Sequence, residues 1–427
     1  MSVGRSNRIS DTLLDALLAD FERGTTVSAG GLTFDQLDFD ETFEILPDAF
    51  RFRPPVARRT AIGFLRRALI DCRKAGPLTI DALLASASEL ERTARAVPNQ
   101  RYTIWTKFRA TNMAHHSGFR VEWQGVRIRS AATLPARIAR GEYFLNGVGR
   151  IYPDRPRGYG HVIMACDERD ERAAMERALE ALQLVMGLAN LFESYGRWSH
   201  GGHRHWTEGK WWLGPHQFVF RGDAFLGDER IWYNGDYDEM AWSTHAPQMR
   251  EALRVMPMVR RALRELSDHP LRTLLVRTIL LLQDGFASRD GSHRLLRYWS
   301  ALERLYVEEG GRGSSNQKVV DRASFADLDP RLSRWKLNHV AQLRNDHAHA
   351  GGTDDDLQVM GQFLRHLLAR HLNHWIFQGR SFANHAALLA YVDLPGEERA
   401  LTTLRAAIDR RLDLIRQRPD SPGTTDD

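Results

Sequence analysis

The ten residues LRNDHAHAGG, Leu343 to Gly352, stand between two apolar helical patterns. Before them, Leu332, Trp335, His339, Val340 and Leu343 recur at helical spacing, so a helix is expected over 330–345 with that stripe facing the core. After them, Leu357, Met360, Leu364, Leu367, Leu368, Leu372, Trp375 and Ile376 keep the same rhythm over 354–377. Thr353 or Asp354 would cap that second helix, and more acids follow in its first turn. Arg344 is then expected at the C-terminal end of the first helix. His349 follows five positions later, at the bend or the start of the next element. An Arg and a His near one corner can converge on one phosphate. Arg brings a permanent planar charge with a bidentate fork, and His exchanges a proton near neutral pH. The same residues also suit ordinary helix termination, where cations favour the negative end of the dipole and Gly supplies the left-handed turn.

Working outward, 427 residues are too many for a single core and suit two or three domains. Hydrophobic residues at 43% and charged residues at 26% are ordinary for a globular chain. Lys+Arg 59 against Asp+Glu 54 leaves a net charge of +5. That mild excess permits a nucleic-acid partner without requiring one, since binders concentrate charge on one face. The two cysteines, Cys72 and Cys166, have neither CxxC nor Cys/His spacing. A disulfide framework and a structural zinc site are therefore not expected, and a reducing cytoplasm fits. Asp11 and Asp15 in and beside the first apolar run are unlike a secretory signal. The longest apolar patch, LLVRTILLL (Leu274 to Leu282), is interrupted by Arg277 and too short to span a bilayer, so no membrane partner is expected.

The rhythm divides the chain into four stretches. Residues 1–100 form a helical segment, with helices near 9–22 and over 58–96, the latter split at Gly76-Pro77. ILPDAFRFRPP (Ile45 to Pro55) reads as a loop or edge with proline stops. Residues 101–245 form a mixed α+β region. YTIWTKFRAT, FRVEWQGVRIRSA, YFLNGVGRIY and GHVIMAC read as strands, a strong helix covers 170–196, and short Trp-rich segments follow over 198–242. Residues 246–380 are almost all helix, over 247–267, 270–287, 292–308, 316–323, 330–345 and 354–377. Residues 381–427 hold a last helix near 396–416 and a disordered tail. The fold class is thus an α+β N-terminal region followed by an all-α bundle.

The Arg344-Asn345 pair with His349 resembles the signature of the HEPN superfamily: an Arg followed by a polar residue, then a His a few positions on. RLLRYWSALERLY (Arg294 to Tyr306), with its Ala301-Leu302-Glu303 turn, is similar to a helix of ApeA-like HEPN domains. The likeness covers about residues 265–380 and gives the all-α bundle a HEPN-type fold. It implies a metal-independent endoribonuclease with no cofactor, acting on RNA, tRNA among the candidates, and leaving a 2′,3′-cyclic phosphate and a 5′-OH. His349 would transfer the proton and Arg344 would hold the phosphate. Asn345 would orient the His or donate to phosphate. Glu303, at the edge of its helix's apolar stripe of Leu295, Trp299, Leu302 and Tyr306, would pair with Arg344; a solvated surface carboxylate is the alternative. Asp346 and His347 lie inside the motif without a fixed role. The resemblance also implies a homodimer, since a second copy supplies a second Arg and His. A role in anti-phage defence or toxin-like growth arrest follows, with residues 101–245 sensing or restraining and a phage-derived trigger as partner. The alternative is a non-catalytic HEPN-fold dimerisation or RNA/nucleotide-binding module.

Other features carry weaker chemistry. His200, His203 and His205, with Glu193 or Glu208, have a spacing that could hold a metal. They lack the HExxH form, and the intervening glycines suit a solvated loop or polyanion-contacting patch better. GGRGSSNQK (Gly310 to Lys318) lacks Walker spacing and reads as a connection between helices that could lie over an RNA groove. Trp198, Trp206, Trp211, Trp212, Trp232 and Trp242 read mainly as core, with base stacking the alternative.

Overall fold

The computed structural model describes residues 3–6, 8–28, 31–34, 40–53, 56, 58–110, 119–131, 160–195, 211–222, 224–226, 231–233, 250–288, 290–308, 316–325, 329–350 and 354–416. They are mostly helical, with sheet-containing parts ahead of a long helical part. The chain forms two compact units, residues 1–102 with 167–176 and residues 103–166 with 177–427. The large sheet and the following helices share the second unit.

In the first unit, β1 (Val3–Arg5) leads to α1 (Asp11–Arg23), whose N-cap Ser10 accepts from Leu13 N at 3.3 Å. Leu14, Leu18 and Phe21 recur at helical spacing and are buried. β2 (Thr25–Ser28) and β3 (Gly31–Phe34) form a hairpin. α2 (Asp40–Ala49) runs into β4 (Phe50–Phe52), which pairs antiparallel with β1. Of the stretch expected as a loop or edge, residues 45–49 end a helix and Phe50–Phe52 form an edge strand. Pro47 lies inside α2 at the expense of one backbone hydrogen bond, while Leu46 and Ala49 beside it are fully buried. α3 (Arg58–Ala75) and α4 (Ile80–Ala96) break at Gly76 as expected, and Thr79 caps α4.

The second unit is built on an antiparallel-rich sheet. β5 (Gln100–Ala110), β6 (Arg120–Trp123), β7 (Val126–Ala131), β8 (Gly160–Glu168), β9 (Trp211–Arg221) and β10 (Ala224–Phe225) stand in the order β10-β9-β5-β8-β7-β6, and β11 (Ile231–Tyr233) also pairs with β9. The strand expected at 143–152 lies outside the described residues. β6 and β7 are joined by Gln124-Gly125, both at positive φ (47° and 80°), which is the two-residue turn that matches strand twist. Trp211 packs with Phe108 and Phe119, and Trp105 stacks on Phe218 at 4.8 Å, so these aromatics fill the interior.

A buried Asn links the sheet to the helices. Asn190, on α5 (Glu171–Tyr195), donates to Gln283 Oε1 at 2.9 Å and to the Trp211 carbonyl at 3.3 Å, and its Oδ1 accepts from Trp211 N at 3.1 Å. Gln283 belongs to the second of the helices that follow: α6 (Arg250–Ser267), α7 (Arg272–Ala287), α8 (Gly291–Tyr306), α9 (Asn316–Ser324), α10 (Pro330–Ala350), α11 (Asp354–Gln378), α12 (His385–Val392) and α13 (Glu398–Arg416). α5 meets α7 closely at Gly187, where a Cβ would stand 2.8 Å from Ile279 Cγ2. Asp290 ends the short α7–α8 connection by accepting from Ser292 N and His293 N, and these amides hold its carboxyl below the usual range.

α8 is the central helix, with Leu295, Tyr298, Trp299, Leu302 and Tyr306 all buried. Its end is fixed by Tyr306, whose hydroxyl lies 2.7 Å from His371 Nδ1 and accepts from Trp375 Nε1 at 3.1 Å. Two helices of the second unit differ from expectation. α12 was not foreseen. α10 continues to Ala350 rather than ending at 345, because Asp346 to Ala350 contains no breaker before Gly351-Gly352 and includes two alanines. Among the described residues no helix is long and apolar enough to cross a membrane.

Candidate active site

Arg344 is fixed by three side chains from two other helices. Its Nη2 lies 3.5 Å from Glu303 Oε1 on α8. Its Nη1 donates to Asn316 Oδ1, at the first residue of α9, over 3.3 Å. Its Cζ stands 6.0 Å from the Trp299 ring centroid, at the outer edge of cation–π range. Trp299 Nε1 in turn donates to Glu303 Oε1 at 2.8 Å. One carboxylate oxygen therefore receives both an indole N–H and a guanidinium. The Glu303 and Arg344 side chains are 27% and 32% exposed, so solvent screens their attraction and it adds about 1 kcal/mol or less to stability. The cluster's main effect is to orient the guanidinium.

The register of α10 explains why Arg344 points this way. At 3.6 residues per turn, position 344 shares a face with Ser333, Leu337 and Val340. All three are buried. The stripe expected to face the core is instead split. Val340 is buried, but Leu332, Trp335 and His339 are exposed, Trp335 by 66%. The apolar spacing around Trp335 resembled an ordinary core stripe; the true inward stripe runs one residue out of step, through Ser333 and Leu337. Trp335 stacks on His339 at 6.2 Å and 14°.

His349 does not sit at a bend. Its backbone belongs to the last turn of α10, so Arg344 is an interior helical residue rather than a terminal one. Five residues of α-helix turn roughly 140°, which puts position 349 on the outward face of Trp335 and Gln342, away from the face of Arg344. Asn345 is exposed and stands one helical turn before position 349, on the same side. Asp346 and His347 also lie within α10. One chain thus brings Arg344 and Glu303 together but carries positions 344 and 349 on different faces of one helix.

Two residues of the cluster were not singled out from sequence. Trp299 lies four positions before Glu303 on α8, a spacing that brings their side chains together and was legible. Asn316 is 28 residues from Arg344, and its approach depends on how α9 meets α10. His200, His203, His205 and Glu208 lie outside the described residues, as do Gly310 to Ser315. Glu193 accepts from Trp211 Nε1 at 3.1 Å. Among the described residues no group of three or more His, Cys, Asp or Glu side chains has metal-binding geometry. Cys72 and Cys166 are buried, and burial pushes the Cys72 thiol up.

A scan against protein-family models and searches of curated proteins and of solved structures each find no match to this chain.

Proposed function

We propose that this chain is a HEPN-type, metal-independent endoribonuclease that works as a homodimer. The observation that carries the reading is the oriented guanidinium of Arg344, held by Glu303, Asn316 and Trp299 at the centre of the helical part. A fork fixed in this way is suited to a phosphate, because little side-chain freedom is lost when the anion arrives. The ribose 2′-OH attacks the adjacent phosphorus and the 5′-oxygen leaves. His349 takes the 2′-OH proton and returns a proton to the leaving 5′-oxygen. Arg344 balances charge growing on the phosphoryl oxygens. DNA lacks the 2′-OH and is not a substrate.

The register of α10 supports the second copy in this reading. Positions 344 and 349 face apart within one chain, so a site using both draws His349 from one copy and Arg344 from the other. The outward face carrying position 349 also carries the exposed Trp335, which a second copy would cover. In this reading residues 101–245 act as sensor or regulator, in defence against phage or growth arrest.

One observation favours a second reading, a non-catalytic module of the same fold. Glu303 and Asn316 already engage two guanidinium nitrogens of Arg344, as a purely structural Arg would be engaged. Induced expression separates the two. If wild type arrests growth and leaves RNA with 2′,3′-cyclic phosphate ends while His349→Ala does neither, the first reading holds. Equal toxicity of both proteins contradicts it.

A further inference from the structure

We propose that the β6–β7 edge of the sheet and α6 hold a single strand of RNA by its phosphates, through Arg120, Arg129 and Arg260. The identity of the strand rests on the ribonuclease reading. β6 is an edge strand, and its hairpin with β7 sets Arg120 opposite Arg129 and Glu122 opposite Arg127. Residues opposite each other in an antiparallel pair point to one face, with Cβ atoms about 4.5–5.5 Å apart. The two pairs differ in charge. Glu122 and Arg127 are opposite in sign, which favours the sheet. Arg120 and Arg129 are alike in sign, which destabilises it. Ser130 N donates to the Phe119 carbonyl at 3.1 Å, so 119 and 130 are a hydrogen-bonded pair. Positions 120 and 129 are then a non-hydrogen-bonded pair, the type with the closer side chains.

A third guanidinium comes from α6. Arg260 Nε donates to the Arg120 carbonyl at 3.3 Å, which puts its fork at the open edge of β6. Arg120 and Arg260 are exposed and Arg129 is half-buried, and all three belong to the second unit. Among the described residues no carboxylate forms an ion pair with any of them. The nearest acid in the register, Glu122, faces Arg127. Three like charges gathered in this way break the ordinary pairing rule, and such breaks are expected where a ligand binds. Phosphates of one strand are the anions that fit. A guanidinium takes a phosphate through two parallel hydrogen bonds. Arg127 and Arg129 point to one face two residues apart, about 6.7 Å along β7, close to the separation of successive phosphates in an extended strand. A lipid surface would draw apolar side chains from beside the charges, and β6 and β7 expose no large one among the described residues. Contacts of this kind fix a strand without selecting its bases.

Fluorescence anisotropy of the full-length chain with a 2′-O-methyl single-stranded oligonucleotide tests this. That probe keeps the phosphates and cannot be cut through its 2′-oxygen. Arg129→Gln should weaken binding about tenfold at low salt. It should also lower the slope of log Kd against log salt by about 0.7, the share of one phosphate on a single strand. Arg120→Gln should act alike, and Glu122→Gln should tighten binding. The urea midpoint of Arg129→Gln should hold or rise, because the like-charge pair is relieved; an arginine placed only for the fold would lower it. On cleavable RNA, Arg129→Gln should raise KM and leave kcat little changed. If the oligonucleotide binds with these dependences but wild type cuts no RNA, the strand site stands and the ribonuclease reading fails. If wild type cuts RNA while Arg120→Gln and Arg129→Gln leave affinity and salt slope unchanged, the inference is overturned and the ribonuclease reading stands. The inference also falls if wild type does not bind the oligonucleotide at low salt. Displacement by inorganic phosphate at matched ionic strength, or tighter binding to anionic vesicles than to the oligonucleotide, overturns it as well.

Discussion

Arg344 Nη2 stands 3.5 Å from Glu303 Oε1, the same oxygen that accepts the indole N–H of Trp299 at 2.8 Å. Trp299 is fully buried and cannot swing away, so the carboxylate is held from the core side and the guanidinium from the carboxylate. The chain of contacts thus runs from the buried Trp299 on α8 through Glu303 to Arg344, the residue proposed to meet phosphate.

Glu303→Gln keeps the indole contact but removes the charge that orients Arg344. Folding stability should fall by about 1 kcal/mol or less, because the pair is partly exposed. RNA cleavage should fall by roughly tenfold, in kcat rather than KM, if an oriented guanidinium matters mainly in the transition state. Denaturant midpoints and steady-state rates on one oligonucleotide check both parts. Unchanged kcat would remove Glu303 from the site.

Gly285 on α7 is packed against the ring of Tyr298 on α8. A Cβ there would stand 2.3 Å from Tyr298 Cε1 and 2.6 Å from Cδ1. Tyr298 is fully buried and its ring has nowhere to move. Gly285→Ala should therefore destabilise by about 1–3 kcal/mol through overpacking, outweighing the better helix propensity of Ala. Urea denaturation measures it; a gain in stability would mean that α7 and α8 are less tightly packed than described.

Stability should depend on acid through His366. Burial first, then the Arg365 and Arg370 guanidinia, lower its pKa from 6.5 to about 4. The fold binds its neutral form, while the unfolded chain takes up a proton below about pH 6.5. The stabilisation is full above that pH and is lost as pH falls toward about 4. His269 and His374 are shifted the same way, burial being the first cause in each. His366→Gln should flatten the slope of the urea midpoint between pH 6.5 and 4. An unaltered slope assigns the acid sensitivity elsewhere.

Complementation tests the division of the site between copies. Arg344→Ala and His349→Ala, each inactive alone, should recover part of the wild-type rate when mixed and allowed to exchange. In a mixed dimer one site then keeps both groups. No recovery, with exchange shown by differential tagging, would mean that each chain uses its own pair.

Much of the helical part was legible in the sequence. α7, α8, α9 and α11 follow the apolar spacing within a few residues, and of the two expectations for Glu303, a partner of Arg344 or a solvated carboxylate, the first agrees with the 3.5 Å approach. The misreadings have common physical causes. On α10 two apolar rows one residue apart compete, and the row with the larger side chains, Leu332 and Trp335, is the exposed one. Spacing alone cannot separate a core row from a surface one. Charged and imidazole residues at 346–349 suggested a bend, yet their helix propensities are adequate and the helix runs through them to Ala350. α12 is only eight residues long, too few to establish a period. Asn316 could not be found because its contact is long-range.

The most direct measurement uses purified wild type, Arg344→Ala and His349→Ala with cellular RNA in excess EDTA, followed by analysis of the new ends. The account predicts cleavage by wild type alone, leaving 2′,3′-cyclic phosphate and 5′-OH ends, with both variants folded and inactive. Wild-type cleavage that survives either substitution, or that EDTA abolishes, would contradict it.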